Sequence, residues 1–288
     1  MKLLRFGAAG AEKPGLLDKD GNIRDLSGVV SDISPETLKA GAIATIAKVD
    51  PSTLPIVPAG VRLGPVVSRA GNFIAVGLNY VDHAHETNSP IPSEPILFNK
   101  APNCIVGPND DVTIPKGSQK TDWEVELAIV IGKTALYVSE ADALSYVAGY
   151  AVCDDVSERA FQTERGGQWM KGKGSPTFGP LGPWLVTPDE VGDPHALAIR
   201  TWVNDELRQD SNTSLLIHDC WAQIEHLSTA FTLEVGDVIS TGTPAGVGGA
   251  MKPPKWLVAG DRVRIEIDRI GTLENPVIDE PADTARLD

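Results

Sequence analysis

The stretch "TDWEVELAIVIG", residues 121–132, alternates with period two along its length, and that pattern specifies a β-strand. Trp123, Val125, Leu127, Ile129 and Ile131 share one face. Glu124, Glu126, Ala128 and Val130 share the other, so two glutamates leave the same side about 6–7 Å apart at a rise of ~3.3 Å per residue. The apolar continuation of their face predicts a half-buried strand that opens on two poorly solvated like charges. Carboxylates held close on a protected face repel, and one protonates unless a cation joins them. Oxygen-only ligands favour a hard ion, Mg²⁺, Mn²⁺ or Ca²⁺, over zinc. The strand "SYVAGYAVCDDVSERA" ends in Asp154 and Asp155, which supply a third donor. Neighbouring strand residues face opposite ways, so one of the two joins the glutamates, and periodicity alone leaves the choice open.

The rest of the chain must build a frame for that strand. Glycine (28) and proline (22) are abundant among 288 residues, 42% are hydrophobic and 6% aromatic. This favours strands and loops over a helical bundle, in one large domain or one domain with a small companion. A net charge of −14 argues against nucleic acid and against anionic membrane surfaces. A small acidic substrate remains compatible, because local lysines and arginines outweigh a screened distant charge. Cys104, Cys153 and Cys220 are odd in number and widely spaced, which fits neither a disulfide framework nor a zinc motif. The first residues lack the pattern of a signal peptide, and no apolar run reaches the ~18 residues of a membrane span. A cytoplasmic protein is expected.

Along the chain, "KDGN" marks a hairpin, and Ser34 followed by Pro35 marks a helix start. Proline and glycine punctuation places a soft boundary near residues 60–70, with a small unit at 1–67 and a larger one at 68–288. Most of the larger unit reads as strands. One amphipathic helix is expected through "TSLLIHDCWAQIEHLSTAF", with Leu216, Cys220, Ile224, Leu227 and Phe231 on its core face. In "GLNYVDHAHETN", His83 and Glu86 are spaced to meet on one helical turn. A glutamate on one imidazole nitrogen fixes the tautomer and leaves the other nitrogen free to take a proton from water. His85 is the alternative base. The polar, proline-rich run "DHAHETNSPIPSEP" predicts a mobile lid that orders the His83–Glu86 turn on ligand binding. "GQWMKGKG" lacks the hydroxyl residue of a phosphate-binding loop, and no amphipathic helix follows "GTPAGVGG", so neither is a nucleotide motif.

"DWEVELAIVIG", "CDDVSER", "KGKGSPTFGPLGPW" and "GDVISTGTPAGVG", in this order, resemble the fumarylacetoacetate hydrolase family over roughly residues 68–280. The resemblance implies a mixed α/β, mainly β fold, with a β-roll catalytic domain behind a small β-rich N-terminal domain, commonly in a homodimer. It implies Glu124, Glu126 and Asp155 as ligands of Mg²⁺, with Mn²⁺ or Ca²⁺ as alternatives, and Asp154 stands where the family often has Asn. His83 and Glu86 match its base pair, and Lys173 an active-site lysine. Lys100, Arg159, Gln162 and Thr243 match substrate-binding positions, with Thr243 in a turn whose amides can hold a carboxylate. The implied reaction is hydrolysis of a carbon–carbon bond in a small 2,4-diketo acid. The stretch at residues 166–194 resembles the 2,4-diketo-3-deoxy-L-rhamnonate or -fuconate branch, which yields pyruvate and L-lactate. Fumarylpyruvate or other acylpyruvate hydrolysis, oxaloacetate decarboxylation and ureidoglycolate lyase chemistry are the rivals within the family. A metal-stabilised binding protein is the rival outside it.

Overall fold

The computed structural model describes residues 1–282 and residue 284. The 68–288 unit therefore ends partly outside the described residues. The fold is mixed α/β and mainly strand, as the resemblance implies, and two sheets carry it. The larger has eleven strands. Its main path runs Ile23–Asp25, Lys13–Leu17, Lys2–Phe6, Gly179–Val186, Val147–Asp154, Val125–Ile131, Val238–Ser240, Phe73–Gly77 and Ile96–Lys100. The second has five strands, Glu206–Asn212, Ala198–Val203, Arg262–Ile267, Gly271–Asp279 and Val112–Ile114. Strand Lys2–Phe6 pairs antiparallel with Gly179–Val186, so the N-terminal hairpin continues the sheet that holds the glutamates.

Strand Val125–Ile131 lies in the middle of the large sheet, and every one of its residues is buried. The half-buried strand expected from the alternation is thus corrected. Val125, Leu127, Ile129 and Ile131 enter one core cluster, with Ile199, Ile265 and Ile267 of the smaller sheet. Ala128 and Val130 enter another, with Leu3, Phe73 and Leu185. Both faces are covered because the second sheet packs on one side and the N-terminal segment closes the other. Alternation records which residues share a face and is blind to a second layer covering the polar one.

Local signals place the supporting helices. Ser34 caps Pro35–Lys39, accepting from Thr37 N while Thr37 Oγ1 accepts from Ser34 N. The longer helix is Cys220–Ala230, and it starts later than the apolar period suggests. Asp219 ends the preceding loop by accepting from Trp221 N and Ala222 N at 2.9 Å each. Leu216 therefore lies outside the helix and Phe231 is half-exposed, whereas Cys220, Ile224 and Leu227 are buried as expected. A polar cap set this boundary, where the apolar period alone would have run on.

Candidate active site

The glutamates sit at the entry of the central strand. In the antiparallel register Val125 faces Asp154 and Glu126 faces Cys153, so the next step brings Asp155 opposite Glu124. That register resolves the choice between the aspartates. Asp155 projects to the glutamates' side, and one carboxylate oxygen from each of Glu124, Glu126 and Asp155 lies within 4.8 Å of the others. Asp154 turns away. Its Oδ1 accepts from Glu124 N at 2.9 Å, its Oδ2 has no partner, and burial pushes its carboxyl up to about 8.

Three cations surround this group unevenly. Lys173, at the end of the short helix Met170–Lys173, donates from Nζ to Glu124 Oε2 at 2.6 Å and Asp155 Oδ2 at 2.7 Å. Arg159 pairs with Glu124 Oε1 at 2.7 Å and with Asp122. Burial alone would raise the Glu124 carboxyl, but Arg159 and Lys173 outweigh it and hold the carboxyl well below the usual range. Glu126 touches no cation. It accepts from Ser240 Oγ at 2.6 Å and Gly242 N at 2.8 Å, while burial, Asp155 and Glu124 push its carboxyl well above the usual range. A divalent ion at the shared oxygens would supply the charge that Glu126 lacks, and three hard oxygen donors suit Mg²⁺, Mn²⁺ or Ca²⁺. The donor set fits such an ion.

His83 lies on the short helix Val81–Glu86. Its Nδ1 meets Glu86 Oε1 at 2.7 Å, as the three-residue spacing predicts. Glu86 also accepts from Gly246 N at 3.0 Å, which ties the helix to the glycine-rich turn. The turn expected to order only on ligand binding is thus formed here, anchored by Glu86 and by the buried Ala84. Residues 87–95 after it carry no regular secondary structure and are mostly exposed. His85 is exposed, whereas His83 is buried and lines the main cavity.

This cavity, about 860 Å³, gathers nine of the ten residues singled out in the sequence: His83, Glu86, Glu124, Glu126, Asp155, Arg159, Gln162, Lys173 and Thr243. Lys100 is the exception and corrects the expectation that it binds substrate. Its side chain is fully buried, and Nζ donates to Asp155 Oδ1 at 2.6 Å, Lys173 O at 2.6 Å and Val156 O at 3.3 Å. All three donors are spent on protein, so Lys100 fixes Asp155 and the Lys173 backbone from behind. The glycine-rich turn is also partly committed. Gly242 N and Gly246 N, both at glycines in the left-handed region, serve Glu126 and Glu86. Thr243 Oγ1 accepts from Gln209 Nε2 at 2.8 Å and remains at the cavity wall.

Asp122 is a further member of the site, beyond the sequence candidates. It is fully buried and accepts from Trp123 N, Gly248 N, Gly249 N and Arg159 Nε at 2.7–2.9 Å. Its signal was present, since it shares parity with Glu124 and Glu126. The partners were not visible, because Gly248 and Gly249 lie far along the chain.

The family model described as fumarylacetoacetate (FAA) hydrolase C-terminal matches residues 72–278. The chain belongs to the fumarylacetoacetate hydrolase family. A protein of Burkholderia ambifaria (strain MC40-6), named as a hydrolase, is 54% identical over 272 residues, covering 94% of this chain and 96% of that protein. The fumarylacetoacetate hydrolase from psychrophilic Exiguobacterium antarcticum superposes with a TM-score of 0.86 at 38% identity, over 97% of this chain and 100% of that one. The maleylpyruvate hydrolase of Sphingobium sp. SYK-6, solved with manganese(II) and pyruvate, superposes at 0.81 with 33% identity, over 98% of this chain and 100% of that one. The matched residues include the central strand that carries the glutamates and the residues that line the cavity above it.

Proposed function

We propose that this protein hydrolyses a carbon–carbon bond in a 2,4-diketo acid of the acylpyruvate type. The observation that carries the reading is a single cavity holding both the carboxylate group Glu124–Glu126–Asp155 and the His83–Glu86 pair. A similar protein solved with manganese(II) and pyruvate supports a divalent ion and a pyruvate-forming reaction. Mg²⁺ is our first choice of ion, with Mn²⁺ or Ca²⁺ as alternatives. Held by Glu124, Glu126 and Asp155, the ion would act as a Lewis acid toward substrate oxygens.

The chain's own groups divide the remaining work. Glu86 on Nδ1 keeps His83 Nε2 free, so that nitrogen takes a proton from water as the water oxygen bonds to the C4 carbonyl carbon. The C3–C4 bond then breaks with its electron pair moving to C3, and a proton delivered to C3 completes pyruvate. The added oxygen leaves in the carboxylic acid formed from C4. Lys173, whose Nζ donates to Glu124 and Asp155, holds positive charge beside the site where negative charge develops. Gln162, whose Oε1 accepts from Arg159 at 3.2 Å, keeps its amide donors for substrate. A homodimer and a cytoplasmic location accompany this reading; among the described residues no helix is long and apolar enough to cross a membrane.

The resemblance of residues 166–194 to the rhamnonate and fuconate branch makes a sugar-derived acyl half one form of this reading. The test of the whole class is pyruvate release from 2,4-diketo acids, followed by NADH consumption with lactate dehydrogenase. Pyruvate formation that requires a divalent ion supports the reading. Tight binding of metal and diketo acid without turnover would make the protein a binding module.

A further inference from the structure

We propose that the acyl half of the substrate is an apolar, flat group such as an aryl ring, and neither the sugar-derived polyol that the reading above admits nor a carboxylate-bearing chain. The inference rests on the 2,4-diketo acid reading and names the part of the substrate that reading leaves open. The cavity of about 860 Å³ lies toward the upper end of small-molecule sites, about 300–1,000 Å³, so it has room well beyond a pyruvoyl head. The carboxylates, Lys173 and His83 define the reacting end. Away from them the lining includes Phe98, Trp169, Val247, Met251, Pro254 and Trp256.

The apolar wall begins at the reacting end. Lys173 Nζ lies 5.0 Å from the centre of the Phe98 ring. Trp169 meets Phe98 edge to face, with centroids 5.4 Å apart, and carries the wall outward. Its indole rests directly on the backbone of Gly77, where an added Cβ would come within 2.4 Å of a ring carbon. A second apolar surface comes from the loop at residues 247–256. Trp256 packs against Gly249, whose N–H is held by Asp122 at 2.9 Å, so this loop is anchored to the residue that also holds Arg159.

Among the polar side chains beside these surfaces Gln162 keeps its amide donors, while Arg159, Lys120 and Thr87 bond to protein. Arg159 bonds to Asp122, Glu124 and Gln162. Lys120 is paired with Glu164 at 2.5 Å, and Thr87 Oγ1 donates to His83 O at 2.9 Å. Lys252 is exposed, where water screens its charge. A buried polyol needs a partner for each hydroxyl, and a buried distal carboxylate needs a free cation. An aryl group needs neither and gains ring contact with Trp169 and Phe98.

The test is kcat/KM for the Mg²⁺- or Mn²⁺-loaded protein on a panel with one common 2,4-dioxo acid head and a methyl, phenyl, carboxyvinyl or polyol tail. The phenyl compound is expected to exceed the polyol and carboxyvinyl compounds by about tenfold or more, the factor expected from burying a ring. Trp169→Ala should lower kcat/KM for the phenyl compound by about tenfold, through KM, and cost the methyl compound far less. Gly77→Ala, which displaces the indole without removing it, should act in the same direction, and Trp169→Phe should restore most of the preference. Circular dichroism checks that each variant is folded. Preference for the polyol or carboxyvinyl tail, or equal losses on all tails, overturns the proposal. If no member of the panel is cleaved, the reaction assigned above fails. The acyl preference then stands or falls on calorimetric Kd values for the same four compounds.

Discussion

The carboxylates around Lys173 and those around Arg5 and Arg62 are both shielded from water, yet they are neutralised in different ways. In the N-terminal group Arg5 forks onto Asp32, at 2.7 and 3.2 Å, and Arg62 forks onto Asp110, at 2.7 and 2.5 Å. Glu12 bridges the two arginines through Arg5 at 3.4 Å and Arg62 at 3.0 Å. Every acid there has an arginine, and although burial works against it, Arg62 and Arg5 hold Glu12 below its ordinary value. In the central group Glu124 and Asp155 have cations, and Glu126 has only a hydroxyl and an amide. A closed ion-pair network holds segments together. A network left one cation short, beside a cavity, fits the proposal that a divalent ion supplies the missing charge.

Removing metal gives the sharpest contrast. Chelation with EDTA followed by dialysis should abolish pyruvate release, and Mg²⁺ or Mn²⁺ should restore it. Full turnover in a sample shown to be metal-free would mean that the central group, like the N-terminal one, is complete by itself.

Next in size is the pair of adjacent aspartates. Asp155→Asn should cost at least about a hundredfold in kcat and weaken metal binding, because it removes a carboxylate shared by Lys100, Lys173 and the proposed ion. Asp154→Asn should cost far less, since an amide oxygen still accepts from Glu124 N and the partnerless oxygen is replaced by a neutral group. Equal losses, or the reverse order, would show that the strand register does not decide the ligand.

His83→Ala should lower turnover by about 10²–10⁴ while metal affinity barely changes, because its ring bonds to Glu86 and to none of the three carboxylates. His85→Ala should be mild. Metal titration with single-turnover rates separates the roles: loss of metal in His83→Ala would merge base and metal site into one unit.

How far these parts were legible follows from how local their causes are. Parity along one strand grouped Glu124 and Glu126, and a three-residue spacing joined His83 to Glu86, because backbone geometry alone fixes both. The choice of Asp155 over Asp154 needed the pairing partner, which no single strand contains. Lys100 reads as an ordinary polar residue near a strand end, and its complete burial appears only when Asp155, Val156 and Lys173 converge on it. Trp169 on Gly77 and Asp122 beneath Gly248 are likewise contacts between distant segments, and no local signal announces their partners. The cover over the glutamates' face was missed for the same reason, since it comes from the N-terminal strands.

The N-terminal group supplies the converse prediction. Glu12→Gln should destabilise the fold by about 1–3 kcal/mol, since it leaves Arg5 and Arg62 sharing a weaker acceptor in a protected place. Turnover per folded molecule should stay near that of the parent. Urea denaturation and pyruvate assays on the same samples check both halves. A loss of turnover without loss of stability would show that the two charge groups are coupled.

The smallest effect concerns acid. Asp18, in the hairpin between Lys13–Leu17 and Ile23–Asp25, accepts from Asn22 N at 2.8 Å, Arg24 Nε at 2.6 Å and Asp20 N at 2.9 Å. Desolvation works against ionisation, but these donors hold its carboxyl down to about 2, from an ordinary 3.8. A carboxyl with a lowered value in the folded state binds its proton more readily once unfolded. Its contribution is therefore fully present above about pH 4 and is lost as pH falls toward 2. In the parent, this part of the decline in stability should appear over that interval. Asp18→Asn should remove it, so the difference in stability between parent and variant should shrink as pH drops from 5 to about 2. A difference that stays constant over this range would mean that Asp18 acts through hairpin geometry and not through its charge. The Arg24–Asp18 pair would then be a turn device, unlike the arginine-closed network around Glu12.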